Sequence, residues 1–435
     1  MNQLQLFLPC AAGVEEFLAE ECLHITGQQP GTLKTTRGGV LVEASWRDVM
    51  LLNLHCRLAQ RVLVQLSYAE YRSDQDIYEN ASQVAWEIWF TPKQSFKIEI
   101  TAQHSPVKSL NFSALLVKDA ICDRFRHKSG VRPDVETRWP DARVYVHLSA
   151  THQTLYIDTS GEALFKRGWR TDKGDAPLKE TLAAAMIAAS GWDGKSPLYD
   201  PCCGSGTIAI EAAQIACNIA PGGQRHFGFE KLLPYQAHVW SAIKSEAKAA
   251  EHKAEAPIFG SDVAHRMVDF AMRNAERAGV ADVVQLRGGD ALQRLPPCDE
   301  AGILLLNPPY GERIEAAGFA GTASGAKPNR GGRESAWVDP TADPDQSMGR
   351  AGGGAGDAEA MDDFFRQLST HWKTHFTGWT AWVLTPDLKL PGRMRFKESR
   401  RVPMWNGPIE CRMFRFEISA MPTKPAPKPS DASGP

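Results

Sequence analysis

LYDPCCGSGTIAIEAA, residues 198–213, decides the fold: an apolar strand reaches a carboxylate at Asp200, turns through glycines and enters a helix near Thr207. A strand, glycine turn and helix in that order let the backbone approach a ligand closely at a helix N-terminus. Gly204 and Gly206 leave the room, with Cys202 and Ser205 beside them. The turn lacks the third glycine of G-x-G-x-x-G and does not match G-x-x-x-x-G-K-[ST], which argues against a triphosphate cradle. Working outward, strands are expected at Pro257–Ser261, Val283–Leu286, Ala301–Leu306 and TAWVLT (380–385), with a helix over Ala264–Gly279. The amphipathic run MDDFFRQLSTHWKTHF starts at Met361, and further strands lie around 393–402 and 410–418. This alternation predicts an α/β domain with a mostly parallel, doubly wound, Rossmann-like sheet.

In such a sheet ligands bind at the carboxyl edge, so the residues at the strand ends matter. The second strand ends in GSD, placing Asp262 where it can accept from ribose hydroxyls, although an Asp there also caps helices. The third leads to Gly289-Asp290-Ala291, where a carboxylate and a backbone N–H suit an adenine edge. The fourth is LLLNPPYGERI (304–314). Two prolines fix the backbone so that the Asn307 side-chain oxygen and the Pro308 carbonyl both accept from one planar NH2 group, with Pro309 stiffening the turn. Tyr310 can stack on the same ring. A conjugated amine is a poor nucleophile, and this arrangement holds it toward an electrophilic methyl group.

The first 160 residues have another rhythm. Strands at QLQLFLP (3–9) and GGVLVEAS (38–45) flank a helix over Gly13–His24, an α+β module whose sheet is expected to continue into the neighbouring unit. RVLVQLSYAEY, SFKIEITA, RVYVHLSA and TLYIDTSG, interrupted by a helix over Asn111–His127, form that second α+β unit. The 435-residue chain has 49 Lys+Arg and 51 Asp+Glu, a net charge of −2, which excludes polyanion binding over the whole surface. Residues 91–170 hold 13 basic and 8 acidic residues, a local surplus of 5. Arg124, Arg126, Lys128, Arg132, Arg138 and Arg143 lie close together with Trp139, reading as a phosphate-contacting face with an aromatic platform or as a solvated helix end.

Nine cysteines without a C-x-x-C pair argue against a disulfide scaffold or a metal site. The N-terminus lacks a signal-peptide pattern and no 18-residue apolar run occurs, so a cytoplasmic protein is expected. Residues 316–357 hold ten glycines in 42 positions and read as a disordered insertion, as does the tail over 421–435.

APLKETLAAAM (176–186), DPCCGSGT (200–207), GSD (260–262), NPPYGERI (307–314) and WNGPIECRMFRF (405–416) together resemble the class I S-adenosylmethionine-dependent amino-methyltransferases that carry a THUMP RNA-binding domain, of the bacterial 23S rRNA guanine-N2 RlmL type. The resemblance covers about residues 1–420. It implies a ferredoxin-like module over 1–58, a THUMP domain over 59–165 and a methyltransferase domain over 166–420. It further implies that Asp200, Gly204 and Gly206 line the methionine part of S-adenosylmethionine, with Cys202 and Ser205 also in the cofactor site and Lys179, Glu180 and Thr181 packed over it. Asp262 then holds the ribose, Asp290 and Ala291 the adenine, and Asn307, Pro308, Pro309 and Tyr310 the target amine. The implied partner is 23S rRNA or a large-subunit assembly intermediate, and no metal or membrane is expected.

Three departures stand out. Ala264 occupies a position where the family usually has a second Asp, the 316–357 insertion replaces a short connection, and a single methyltransferase domain implies one activity. The residues alone leave a tRNA guanine-N2, a DNA adenine-N6, a protein glutamine-N5 and a non-catalytic RNA-binding reading open.

Overall fold

The computed structural model describes residues 3–174, 177–308 and 355–419. They build two seven-stranded sheets. The first contains β1 (Leu4–Pro9), β2 (Leu33–Thr36), β3 (Gly39–Ala44), β4 (Leu63–Glu70), β5 (Phe96–Ala102), β6 (Ala142–Leu148) and β7 (His152–Asp158), in the order β2-β3-β1-β4-β7-β6-β5. Leu6 of β1 pairs with Val42 on one side and Val64 on the other, both antiparallel, so the sheet runs unbroken from the N-terminal module into the next. Only β5 and β6 pair in parallel, and helix α4 (Leu110–Ser129) lies between them in the chain. Helices α1 (Glu15–Thr26), α2 (Trp46–His55) and α3 (Asp74–Gln83) complete this half. Ser45 with Asp48 and Ser73 with Asp76 form reciprocal capping boxes at the starts of α2 and α3.

The second sheet holds β8 (Leu198–Asp200), β9 (Ile258–Asp262), β10 (Val284–Gly288), β11 (Ile303–Leu306), β12 (Thr380–Thr385), β13 (Arg400–Asn406) and β14 (Ile409–Glu417), ordered β10-β9-β8-β11-β12-β14-β13. The first five are parallel; β14 inserts antiparallel between β12 and β13. Helices α5 (Glu180–Ser190), α6 (Thr207–Ala216), α7 (Ala237–Ala249), α8 (His265–Arg277) and α9 (Ala355–His375) belong to this half. Leu304, Leu305 and Leu306 are all fully buried, as a strand covered on both faces requires. The strand order reverses between β8 and β11, and that switch point opens a crevice at the carboxyl edge.

Two expectations are corrected. The chain around 393–402 is not one strand: Pro391 starts a short helix over Leu390–Arg393, Arg395 adopts a positive φ of 46°, and β13 begins only at Arg400. Residues 355–357, expected inside the insertion, belong to α9; the rest of the insertion, Pro309, Tyr310 and the 421–435 tail lie outside the described residues.

A buried ionic knot joins the halves. Glu211 of α6, wholly buried, takes Arg167 Nε at 3.1 Å and Arg57 Nη1 at 3.3 Å. Arg167 also donates to the carbonyls of Leu164 and Arg57, while Glu21 of α1 accepts the backbone N–H groups of Arg57 and Leu58. Four chain segments thereby satisfy one another's charges and polar groups, as an ion pair removed from water requires.

Candidate active site at the carboxyl edge of the parallel sheet

The parallel strands β8, β9, β10 and β11 bring Asp200, Asp262, Asp290 and Asn307 to one edge, although 107 positions separate the first from the last. Asp200 is buried, and its Oδ1 accepts the Cys202 N–H at 3.0 Å. Burial, reinforced by the like charge of Asp262, pushes its carboxyl up to about 8. A buried carboxylate beside another one suits a cationic ligand.

Gly204 and Gly206 adopt φ of 52° and 86°. At Gly206 a Cβ would also stand 2.9 Å from the Ala271 Cβ of α8, so the loop sits against that helix only because the side chain is absent. Asp262 holds the turn: Oδ2 accepts the Gly204 N–H and Oδ1 the Ala264 N–H, both at 2.9 Å. The carboxylate thus also caps the start of α8, where Ala264 has no capping side chain of its own. Asp290 Oδ1 accepts from Leu292 N at 2.9 Å and Ala291 is buried beside it. Asn307 is half-buried at the end of β11 and Pro308 is buried.

Lys179, Glu180 and Thr181 form the start of α5, with the Lys179 ammonium 5.1 Å from the centre of the Phe165 ring. Glu180 is buried, which pushes its carboxyl up against the pull of Arg170, whose Nε lies 2.7 Å away. Arg170 is a residue the motif reading passes over. It also donates to Thr207 Oγ1 at 2.7 Å and Leu178 O at 2.9 Å, and reaches Ser205 Oγ at 3.4 Å, fastening α5 to the glycine turn. Asn274 of α8 does the same from below, donating to the carbonyls of Ser205 and Asp172. Under the turn, the Tyr199 and Ser261 hydroxyls meet at 2.7 Å. Burial raises the Cys202 and Cys203 thiols, which disfavours the reactive thiolate at both.

The basic residues divide. Arg124 is spent internally: two nitrogens grip Glu87 at 2.7 Å and a third donates to Ser82 O. Arg143 pairs with Glu99 at 3.0 Å and Arg126 with Asp123 at 2.9 Å. Lys128, Arg132 and Arg138 are exposed, as is Trp139 with 67% of its surface in solvent. The solvated-helix-end reading therefore describes Arg126 well, and Arg124 and Arg143 have carboxylate partners that a count of charges cannot reveal. Among the described residues no cluster of His, Cys, Asp or Glu has metal-binding geometry, and no helix is long and apolar enough to cross a membrane.

Three family models match the chain: an RlmL ferredoxin-like domain over residues 5–63, a THUMP domain over 71–158 and an RMKL-like methyltransferase domain over 167–321. The ribosomal RNA large subunit methyltransferase K/L of Psychromonas ingrahamii is 34% identical over 97% of this chain and 51% of its own length. The chain spans about half the length of the curated relatives it matches. Among solved structures, a putative methyltransferase complexed with SAH superposes with a TM-score of 0.79 at 25% identity, over 98% of this chain and 100% of that one. A predicted N6-adenine-specific DNA methylase from Listeria monocytogenes superposes with a TM-score of 0.77 at 27% identity, over 96% of each chain.

Proposed function

We propose that the chain, with its RlmL-type ferredoxin-like, THUMP and RMKL-like methyltransferase domains, transfers a methyl group from S-adenosylmethionine to the exocyclic N2 of a guanine in 23S rRNA, giving N2-methylguanosine. The observation that carries the proposal is the meeting of Asp200, Asp262, Asp290 and Asn307 at one sheet edge, beside a glycine turn.

The residues present fit the cofactor. Asp200 offers a buried carboxyl group that an ammonium would hold ionised, the left-handed Gly204 and Gly206 keep the turn free of side chains, and Asp262 and Asp290 stand at the next two strand ends for ribose and adenine. When bound, the cofactor supplies an electrophilic methyl on a sulfonium. Lys179, Glu180 and Thr181 close the site from α5, with Arg170 fixing their distance from Ser205 and Thr207. Asn307 and the Pro308 carbonyl accept from the target NH2, Pro309 stiffens the turn and Tyr310 stacks on the base. Their work is alignment of the nitrogen with the methyl group rather than proton abstraction, and the N2 proton leaves to water after transfer. A guanine edge held this way must be unstacked, which suits a single-stranded or loosened RNA site.

The RNA face is assigned to the THUMP half, through Lys128, Arg132, Arg138 and Trp139, with Arg124, Arg126 and Arg143 holding that surface in shape. The partner is 23S rRNA or a large-subunit intermediate. All nine cysteines are free, consistent with a reducing cytoplasm as the proposed compartment.

Nucleoside mass spectrometry of rRNA, tRNA and DNA from cells with and without the gene tests the proposal. The expected result is loss of N2-methylguanosine from 23S rRNA and its return on adding purified protein with S-adenosylmethionine. Loss from tRNA alone, or of N6-methyladenine from DNA, replaces the substrate; no change in any fraction overturns the RNA methyltransferase reading.

A further inference from the structure

We propose that the cleft between the N-terminal sheet and the methyltransferase half is a phosphate-tracking subsite, which holds the backbone of single-stranded RNA flanking the target and stacks one base on Trp139. The proposal rests on the RNA reading above and adds a location that the motifs do not contain.

A cavity of about 700 Å³ lies there, within the ~300–1,000 Å³ range of sites that enclose small ligands. Trp139 and Arg143 line it from one side, the 158–170 connection from below, and the turn carrying Arg225, His226 and Lys231 from the other side. At its far end stand Arg170, Lys179 and Glu180. Arg170 lines the cavity and also donates to Thr207 at the glycine turn, so the space leads from the exposed Trp139 to the rim of the cofactor site. Asp200, Gly204, Asp262, Asp290 and Asn307 do not line it, so it meets the site already described only at Arg170, Lys179 and Glu180.

Its lining carries eight Lys and Arg side chains against four Asp and Glu, a surplus of four. Pairing with groups outside the cavity trims that surplus to three, because Glu99 and Glu211 neutralise Arg143 and Arg167 while Arg61 neutralises Asp158. Arg225 adds a positive charge with no carboxylate bonded to it. Its guanidinium is held by the carbonyls of Ser160, Glu162, Ala163 and Lys166 and lies 5.0 Å from the centre of the Phe227 ring. Lys173 is exposed and makes no ion pair among the described residues, and His226 is almost fully open. A basic groove with an aromatic at its mouth is the arrangement that binds single-stranded nucleic acid: cations follow the phosphates and the ring takes a base face without reading its identity.

The test uses the full chain and a fluorescein-labelled twelve-residue oligouridylate, followed by anisotropy across a salt series. Trp139→Ala should weaken binding about tenfold, while Trp139→Phe retains most of it. The Lys173→Glu and Lys231→Glu double variant should lower the slope of log affinity against log salt by about 1.4. Lys34→Glu, on β2 at the opposite edge of the first sheet, should bind like the wild type, and calorimetric affinity for SAH should be the same in every variant. Wild-type affinity and slope in both Trp139→Ala and the double variant, or no binding of the oligouridylate by the wild type, overturn the subsite. If the wild type still methylates rRNA from cells lacking the gene, the RNA methyltransferase reading survives that failure; if it methylates no RNA, the reading and the subsite fall together.

Discussion

The two sheets have the same number of strands and opposite uses. In the C-terminal sheet five parallel strands with helical crossovers place every carboxyl end on one edge, so polar residues scattered from 200 to 307 meet in one crevice. In the N-terminal sheet most pairs are antiparallel, successive connections leave from opposite edges, and comparable polar residues stay apart. Several of its titratable groups pair within that half, as Arg124 with Glu87 and Arg61 with Asp158 do. A parallel sheet gathers chemistry, whereas an antiparallel one presents a surface.

That contrast predicts where stability and activity separate. The largest effect is expected at the knot between the halves. Glu211→Ala leaves Arg57 and Arg167 buried without their carboxylate and should cost about 3–5 kcal/mol in urea melts; a loss below 1 kcal/mol would show that the halves do not depend on it. Asn307→Ala should lower methyl transfer at least about a hundredfold with SAH affinity and melting unchanged. Normal turnover in that variant would sink the alignment role of the Asn-Pro-Pro-Tyr turn.

A third effect arises at the carboxyl edge. Asp200 is raised to about 8 when folded and titrates in the ordinary carboxylate range when unfolded. Its contribution is therefore fully present below that range and declines as pH rises through about 8, by up to about 1.4 kcal/mol per pH unit. Burial raises Asp262 too, so Asp200→Asn should flatten the decline between pH 5 and 8 without abolishing it. An unchanged slope would place the titration elsewhere. The smallest effect belongs to the antiparallel half: Asp48→Ala removes one side of the α2 capping box and should cost about 1 kcal/mol, read by melting, with methyl transfer untouched.

Much of the second sheet is legible in the chain because its signals are local. Asp200 follows an apolar run and precedes two glycines within six residues, and LLLNPP announces a buried strand and its stop. The losses are of two kinds. β2 is the four-residue LKTT, too short and polar to show a period, and α2 within SWRDVMLLNLH is marked by its cap more than by its pattern. The other losses are long-range: Arg124 meets Glu87 across 37 positions, Arg57 meets Glu211 across 154, and Arg170 reaches Thr207 across 37. Spacing along a chain does not reveal which charges folding will neutralise, so a run of arginines reads as a binding face until their partners are placed.

Gly13 lies against the backbone of Pro403, and Trp405 N donates to Ala12 O at 3.2 Å. The N-terminal module is thus tied to the last hairpin of the C-terminal half as well as, through Arg57, to α6, and β1 leaves no gap between it and β4. Two fastenings at separated points turn the first half into a fixed arm. In the proposed reaction the arm sets the reach from the RNA-holding face to the edge of methyl transfer, so loosening it should spoil aim before it spoils chemistry.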